Sequence, residues 1–104
     1  METNLGLLDI AYYEISSMMD VGTNLKFIID ESDSVICMLK QHKSDIYDKI
    51  IRSLNNVISI AVFAILVKLE IGMDYSNGLK SIKRILTDLK SYILSLKKEN
   101  MTNE

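Results

Sequence analysis

The residue with the most obvious chemistry is the single histidine, His42, which is followed by two aspartates, Asp45 and Asp48. A histidine near carboxylates can hold a metal ion or act as a general acid or base. The carboxylate-bridged metal centres of helical bundles, however, use a repeated Glu-x-x-His string, and this sequence does not contain it. We therefore expect His42 to be a solvated surface residue, with no metal and no cofactor bound.

Motifs for nucleophilic or phosphate chemistry are also missing. The sequence has no Gly-x-Ser-x-Gly motif, no phosphate-binding loop and no glycine-rich dinucleotide fingerprint. Catalysis needs titratable groups that converge, and the acids here are spaced as helix caps and solvated faces. We therefore expect no catalytic residue, no small-molecule substrate and a function that is not enzymatic.

The only cysteine, Cys37, lies in the apolar run Val35 to Leu39. One cysteine cannot form an intramolecular disulfide, which favours a reducing compartment. No cationic residue adjoins it in sequence, so we predict a small core residue rather than a reactive thiol. The first residues lack the basic start and apolar run of a secretory signal. We expect the protein in the cytoplasm, of a cell or of an infected host.

Length and composition favour one helical domain. The chain has 104 residues, of which 48% are apolar and 25% charged, and this balance excludes a disordered chain. It is too short to divide into two pieces that each bury a core, so we predict a single domain over residues 1–104. With no proline and four glycines, turns must be few and the elements long, which favours helices.

The charges are divided unevenly along the chain. Residues 1–39 contain seven acids against Lys26 alone, a net charge of −6, and the remainder therefore carries +4 of the total of −2. Opposite charges on two halves attract each other within one fold or between two copies. We expect this pairing rather than two separate charged ligands.

Two helices are predicted in the acidic half. An apolar stripe at steps of three and four predicts the first over about residues 4–20. The second begins near Leu25, after a turn with two candidate capping residues, Thr23 and Asn24, but the polar stretch 30–34 interrupts its stripe. The pattern leaves open whether residues 25–40 form one helix or two, or whether 25–29 form a short strand.

A third helix is predicted from Ser44, a capping residue followed by an acid, to Ile71 before Gly72. Between residues 57 and 67 only Ser59 is polar, so this helix must be enclosed by protein or lie in lipid. The uncharged stretch 53–67 is about 22 Å long, which is short for a hydrocarbon layer of about 30 Å. We expect enclosure, and membrane association is the less favoured alternative.

The fourth helix, over about residues 77–98 with a polar tail 98–104 that frays, has the clearest pattern. Its apolar residues follow a 3-4-3-4-3 spacing, which is typical of coiled-coil packing, and three lysines occupy the e positions beside this seam. Such a seam and its flanking charges predict protein pairing. The expected partner-binding residues are Leu79, Ile82, Lys83, Leu86, Leu89, Lys90, Ile93, Leu96 and Lys97.

Four helices joined by short turns predict an all-α, antiparallel four-helix bundle with a long, largely buried third helix. We expect a protein–protein interaction module, such as an adaptor, chaperone, antitoxin-like or inhibitory protein, that acts as a homodimer. The alternative is a membrane-associated effector or immunity-type protein that uses residues 57–67. A third hypothesis is DNA binding through Lys80, Arg84 and Lys98. The overall acidic charge and the lack of interleaved aromatics argue against nucleic acid.

Overall fold

A computed structural model describes residues 5–21, 24–68 and 76–102. These residues contain four α-helices and one short 3-10 turn, with no β-strand among them. The prediction of an all-α protein is therefore confirmed.

The first two helices are α1 (Leu5–Val21) and α2 (Leu25–Lys40). Of the two candidate capping residues, Asn24 caps α2, because its side chain accepts a hydrogen bond of 3.0 Å from the Phe27 N–H. Helix α2 is continuous through the polar stretch 30–34, so residues 25–40 form one helix rather than two. Ser32 occupies the core position in that stretch, and its hydroxyl donates to Met18 Sδ at 3.3 Å, so the buried oxygen has a partner.

The third helix, α3 (Asp48–Leu66), follows a 3-10 turn at Asp45–Tyr47. Ser44 caps this turn by accepting a hydrogen bond of 3.4 Å from the Ile46 N–H, which confirms the predicted start. After Leu66 one π-helical turn covers residues 67–68. The predicted end at Gly72 lies outside the described residues.

The fourth helix, α4 (Ser76–Thr102), has 27 residues and is the longest described helix. The sequence pattern had predicted the third helix to be the longest. Helix α4 extends to Thr102, through residues for which a frayed tail is predicted. Gly78 lies in the first turn of α4. A Cβ built on it would lie 3.6 Å from Ile60 and 3.7 Å from Ala64, so α4 begins in close contact with α3.

Each helix packs against two others. Helix α1 contacts α2 and α4, and α3 contacts the same two helices. Buried side chains from all four helices and from Tyr47 of the 3-10 turn form one cluster. Its largest fully buried members are Leu8, Ile15, Met18, Ile28, Val35, Leu39, Ile50, Leu54, Ile82, Leu86, Leu89 and Ile93.

The prediction that Cys37 is a core residue was wrong, because its side chain is exposed. Successive residues of a helix point about 100° apart, so the apolar run that contains Cys37 cannot all face one core. Val35, Ile36 and Leu39 take the inward positions of α2, and Cys37 falls between them on the solvent side.

Candidate interaction surfaces

The apolar seam predicted to bind a partner lies in the core of this chain. Five of its six residues are buried among the other helices, and Leu79 is partly buried and packed against the same cluster. The complementary surface for the seam is therefore provided by the chain's own α1 and α3. The five buried residues are Ile82, Leu86, Leu89, Ile93 and Leu96.

The three lysines beside the seam have different surroundings. Lys97 forms an ion pair with Asp9 of α1. Lys90 lies over the ring of Tyr12, with Nζ 5.1 Å from the ring centroid, whereas Lys83 is exposed. The Lys97 pair joins the basic half of the chain to the acidic half, which is the internal attraction that the uneven charge distribution predicts.

Helix α3 is covered on one side only. Its core side carries Ile50, Leu54, Val57, Ala61 and Ala64. On the opposite side Val62, Phe63 and Leu66 are 41%, 67% and 52% exposed. The prediction that this helix is enclosed on all sides is thus not confirmed for one chain. At about 100° per residue, these three share a face with Asn55, Asn56 and Ser59, which are also exposed.

We refer to these six residues as the outer face of α3. Between Asn55 and Leu66 this face carries no charged residue. Large exposed apolar side chains that adjoin one another mark a binding surface more often than isolated ones do. The outer face of α3 is therefore the strongest candidate for contact with a protein or with lipid.

Among the described residues, one helical stretch is long and apolar enough to cross a membrane by length and composition. It covers Asp45–Leu66, 22 residues, and 28% of its most apolar part is buried inside the fold. The low buried share reflects the outer face of α3, which the other helices leave uncovered.

The polar residues with possible chemistry do not converge. In the ranges that the structure describes, no three histidine, cysteine, aspartate or glutamate side chains lie together as a metal site would require. His42 is exposed, and so are the basic residues Lys80, Arg84 and Lys98 of α4. Small cavities between helices are the remaining features. One of about 170 Å³ lies between α3 and α4 and is lined by Lys49, Ser53, Ile85, Asp88 and Leu89.

A second cavity, a groove of about 250 Å³, lies between α1 and α2 and was not anticipated from the sequence. The acid-rich composition of residues 1–39 was the available signal, but it does not reveal which acids face each other. The groove is lined by Ile10, Glu14, Glu31, Ser34, Val35 and Met38.

Two acidic side chains of this groove, Glu14 and Glu31, interact with each other. A side-chain hydrogen bond with Glu14 raises the pKa of Glu31 from 4.5 to about 7, with further contributions from partial burial and from the negative charges of Glu14 and Asp30. Glu31 is therefore not an independent surface charge, because its protonation depends on the neighbouring Glu14.

This pair predicts an unusual pH dependence of stability. A raised pKa means that the folded state binds the proton more tightly than the unfolded state does. The stabilisation is complete below about pH 4.5 and is lost as the pH rises through about 7. We expect the free energy of unfolding of the wild type to fall relative to that of Glu31→Gln over this range, as measured by urea denaturation.

The control for this measurement is Asp33→Asn, which removes an exposed acid of the same helix outside the groove. It corrects for the general loss of negative charge. If the wild type and Glu31→Gln lost stability in parallel from about pH 5 to pH 8, the two carboxylates would not be coupled.

Comparison with known proteins finds no match: no protein-family model fits the chain, and no curated protein or solved structure is significantly similar to it. The surfaces of the molecule are therefore the basis for any assignment of function.

Proposed function

We propose that this protein is a non-enzymatic protein–protein interaction module that acts as a homodimer, in which two copies meet through the outer face of α3. The observation that supports this proposal is the exposure of Val62, Phe63 and Leu66 on adjoining positions of one helix. Burial of this surface removes apolar area from water, which is the main driving force of protein association.

The lack of charge on this face favours a second copy as the occupant. In a twofold interface each residue meets the same surface on its partner, so like charges would repel. The outer face of α3 has none between Asn55 and Leu66. The amides of Asn55 and Asn56 carry both donors and acceptors, so each can pair with an identical group.

In the proposed architecture each chain is an antiparallel four-helix bundle. Contacts between neighbouring helices support it, because residue numbers rise along one helix as they fall along the next. Asp9 and Tyr12 of α1 contact Lys97 and Lys90 of α4, and Lys49 at the start of α3 lies over Tyr92 near the end of α4. The partner then completes the enclosure of α3 that a single chain lacks.

The area of the patch sets the expected affinity. Its three apolar side chains expose on the order of 300 Å² in each chain. Two copies would bury roughly 600 Å² from these residues, below the ~1,200 Å² of a stable standard interface. We therefore expect a weak dimer, with a Kd on the order of 100 μM.

Sedimentation velocity tests this proposal over roughly 5–500 μM protein, a range chosen to span the expected Kd. The weight-average mass of the wild type should rise from that of one chain towards that of two. Phe63→Lys should remain monomeric throughout, because a dimer would bury two like charges in an apolar contact. Circular dichroism should show the variant to be folded.

Tyr13→Lys is the matched control, since Tyr13 is an equally exposed aromatic on α1 outside this face. It should dimerise like the wild type. A wild type that stays monomeric at the highest concentration, or Tyr13→Lys and Phe63→Lys that weaken association equally, would show that the outer face of α3 is not the dimer interface.

Membrane association is the second candidate, and the length and hydropathy of Asp45–Leu66 favour it. In this case the outer face of α3 lies shallowly in lipid instead of against a second chain. Flotation with liposomes distinguishes the two. Flotation of the wild type but not of Phe63→Lys, with a wild type that is monomeric in lipid-free buffer, would replace the dimer with a membrane surface.

We also propose a cytoplasmic location, of a cell or of an infected host. The exposed thiol of Cys37 has no second cysteine in the chain to pair with. Such a thiol persists in a reducing compartment and would invite intermolecular disulfides in an oxidising one.

A further inference from the structure

The groove between α1 and α2 combines apolar walls with a pair of carboxylates. Val35 is buried at its base, Met38 is partly buried, and Ile10 is exposed at its edge. Glu14 and Glu31 reach into the same space from the two facing helices. A groove between two helices with apolar walls is a shape that receives a third amphipathic helix.

The two carboxylates have no cationic partner among the described residues. Asp9, another acid of α1, is by contrast paired with Lys97 of α4. The two helices that form the groove contain two basic residues, Lys26 and, at the end of α2, Lys40. This side of the molecule is therefore strongly acidic. Its electrostatic complement is a cation that comes from another molecule.

We propose that this groove binds a cationic amphipathic helix of a partner protein, with a lysine or arginine side chain between Glu14 and Glu31 and apolar side chains against Ile10 and Met38. A metal ion fits the groove less well. Calcium requires six to eight oxygen ligands, and two carboxylates with one serine hydroxyl supply too few. The surface is separate from the outer face of α3, so the proposal does not depend on dimerisation.

Binding of this kind is linked to the protonation of Glu31. An incoming ammonium or guanidinium group takes the position of the proton that Glu31 holds beside Glu14, so Glu31 releases that proton and ionises. Because the pKa of Glu31 is raised to about 7, Glu31 holds this proton in part of the molecules at neutral pH. Binding should therefore release protons near pH 7, and more of them at lower pH.

The probe for this test is a synthetic amphipathic helix of about 14 residues that contains only leucine and lysine, with a leucine–glutamine peptide of the same pattern as the neutral control. Isothermal titration calorimetry near pH 7, in two buffers of different ionisation enthalpy, measures both affinity and proton release. We expect binding of the lysine peptide alone. Glu14→Gln with Glu31→Gln should weaken it by about tenfold and abolish the proton release.

Two control variants separate binding in the groove from attraction by net charge and from contact with the outer face of α3. Asp33→Asn removes the same charge from α2 outside the groove and should change the affinity by less than about twofold. Phe63→Lys, which disrupts the apolar patch of α3, should bind the peptide like the wild type. This second variant keeps the failure of the dimer proposal distinguishable from the failure of this one.

Three results would overturn the proposal. The first is no binding of the lysine peptide by the wild type. The second is equal weakening by the groove variants and Asp33→Asn, which would show attraction by net charge alone. The third is proton release on addition of calcium without any response to the peptide, which would identify the pair as a cation site.

Discussion

Replacement of Ala64 by lysine should unfold the protein, whereas the same replacement two residues earlier, at Val62, should leave it folded. Ala64 is buried, and its Cβ lies 3.7 Å from the position of a Cβ on Gly78, where α3 and α4 approach closely. A lysine there overpacks the contact and buries a charge without a partner, at a cost of about 3–5 kcal/mol. Val62 faces solvent, so its lysine costs little stability.

Thermal unfolding followed by circular dichroism measures this difference directly. Val62→Lys is the matched control, since it places the same side chain on the same helix. It should retain the helical signal and a cooperative transition, and it should lose self-association. Equal unfolding by both lysines would mean that the outer face of α3 is covered within one chain, and equal tolerance would place Ala64 at the surface.

The second large effect concerns the seam of α4. Leu86→Ala should lower the free energy of unfolding by about 2–5 kcal/mol, because Leu86 is only 1% exposed and its truncation leaves a cavity. Leu94→Ala makes the same chemical change on the same helix at a residue that is 50% exposed. It should cost less than about 1 kcal/mol. Urea denaturation of the monomer at low concentration provides both values.

This comparison also tests the role that the sequence pattern assigned to the seam. If the seam bound a partner, Leu86→Ala would weaken association without a comparable loss of monomer stability. If the seam is part of the core of one chain, the loss occurs in the monomer and is independent of protein concentration. Equal losses for Leu86→Ala and Leu94→Ala would contradict the packing of α4 against α1 and α3.

The helices were predictable because they depend on local information. Apolar spacing placed all four, and the caps at Asn24 and Ser44 were recognised from residue type alone. The burial of Ser32 within α2 was not predictable, since its hydroxyl finds its hydrogen-bond acceptor in the sulfur of Met18, on another helix. A polar residue in an apolar stripe breaks a helix or stays in the core according to whether another element supplies a partner.

The candidate sites were less predictable, because they depend on contacts between helices that are distant in sequence. The spacing of α4 correctly indicated a packed seam, but spacing carries no information on whether the facing surface belongs to the same chain. Composition showed that residues 1–39 are acidic, but it could not show that Glu14 and Glu31 meet across a groove. Likewise, the exposed position of Cys37 depends on which side of α2 faces the core.

The sequence by itself determined that this protein is helical, where its helices begin, and that α3 has more apolar surface than one short chain readily covers. Those properties follow from residue types and spacings within single helices. The tertiary structure decided which apolar surface is left over and which charges have partners: the seam of α4 is enclosed, while Val62, Phe63 and Leu66 are exposed. Burial is a relation between elements distant in sequence, so no single helix could reveal it.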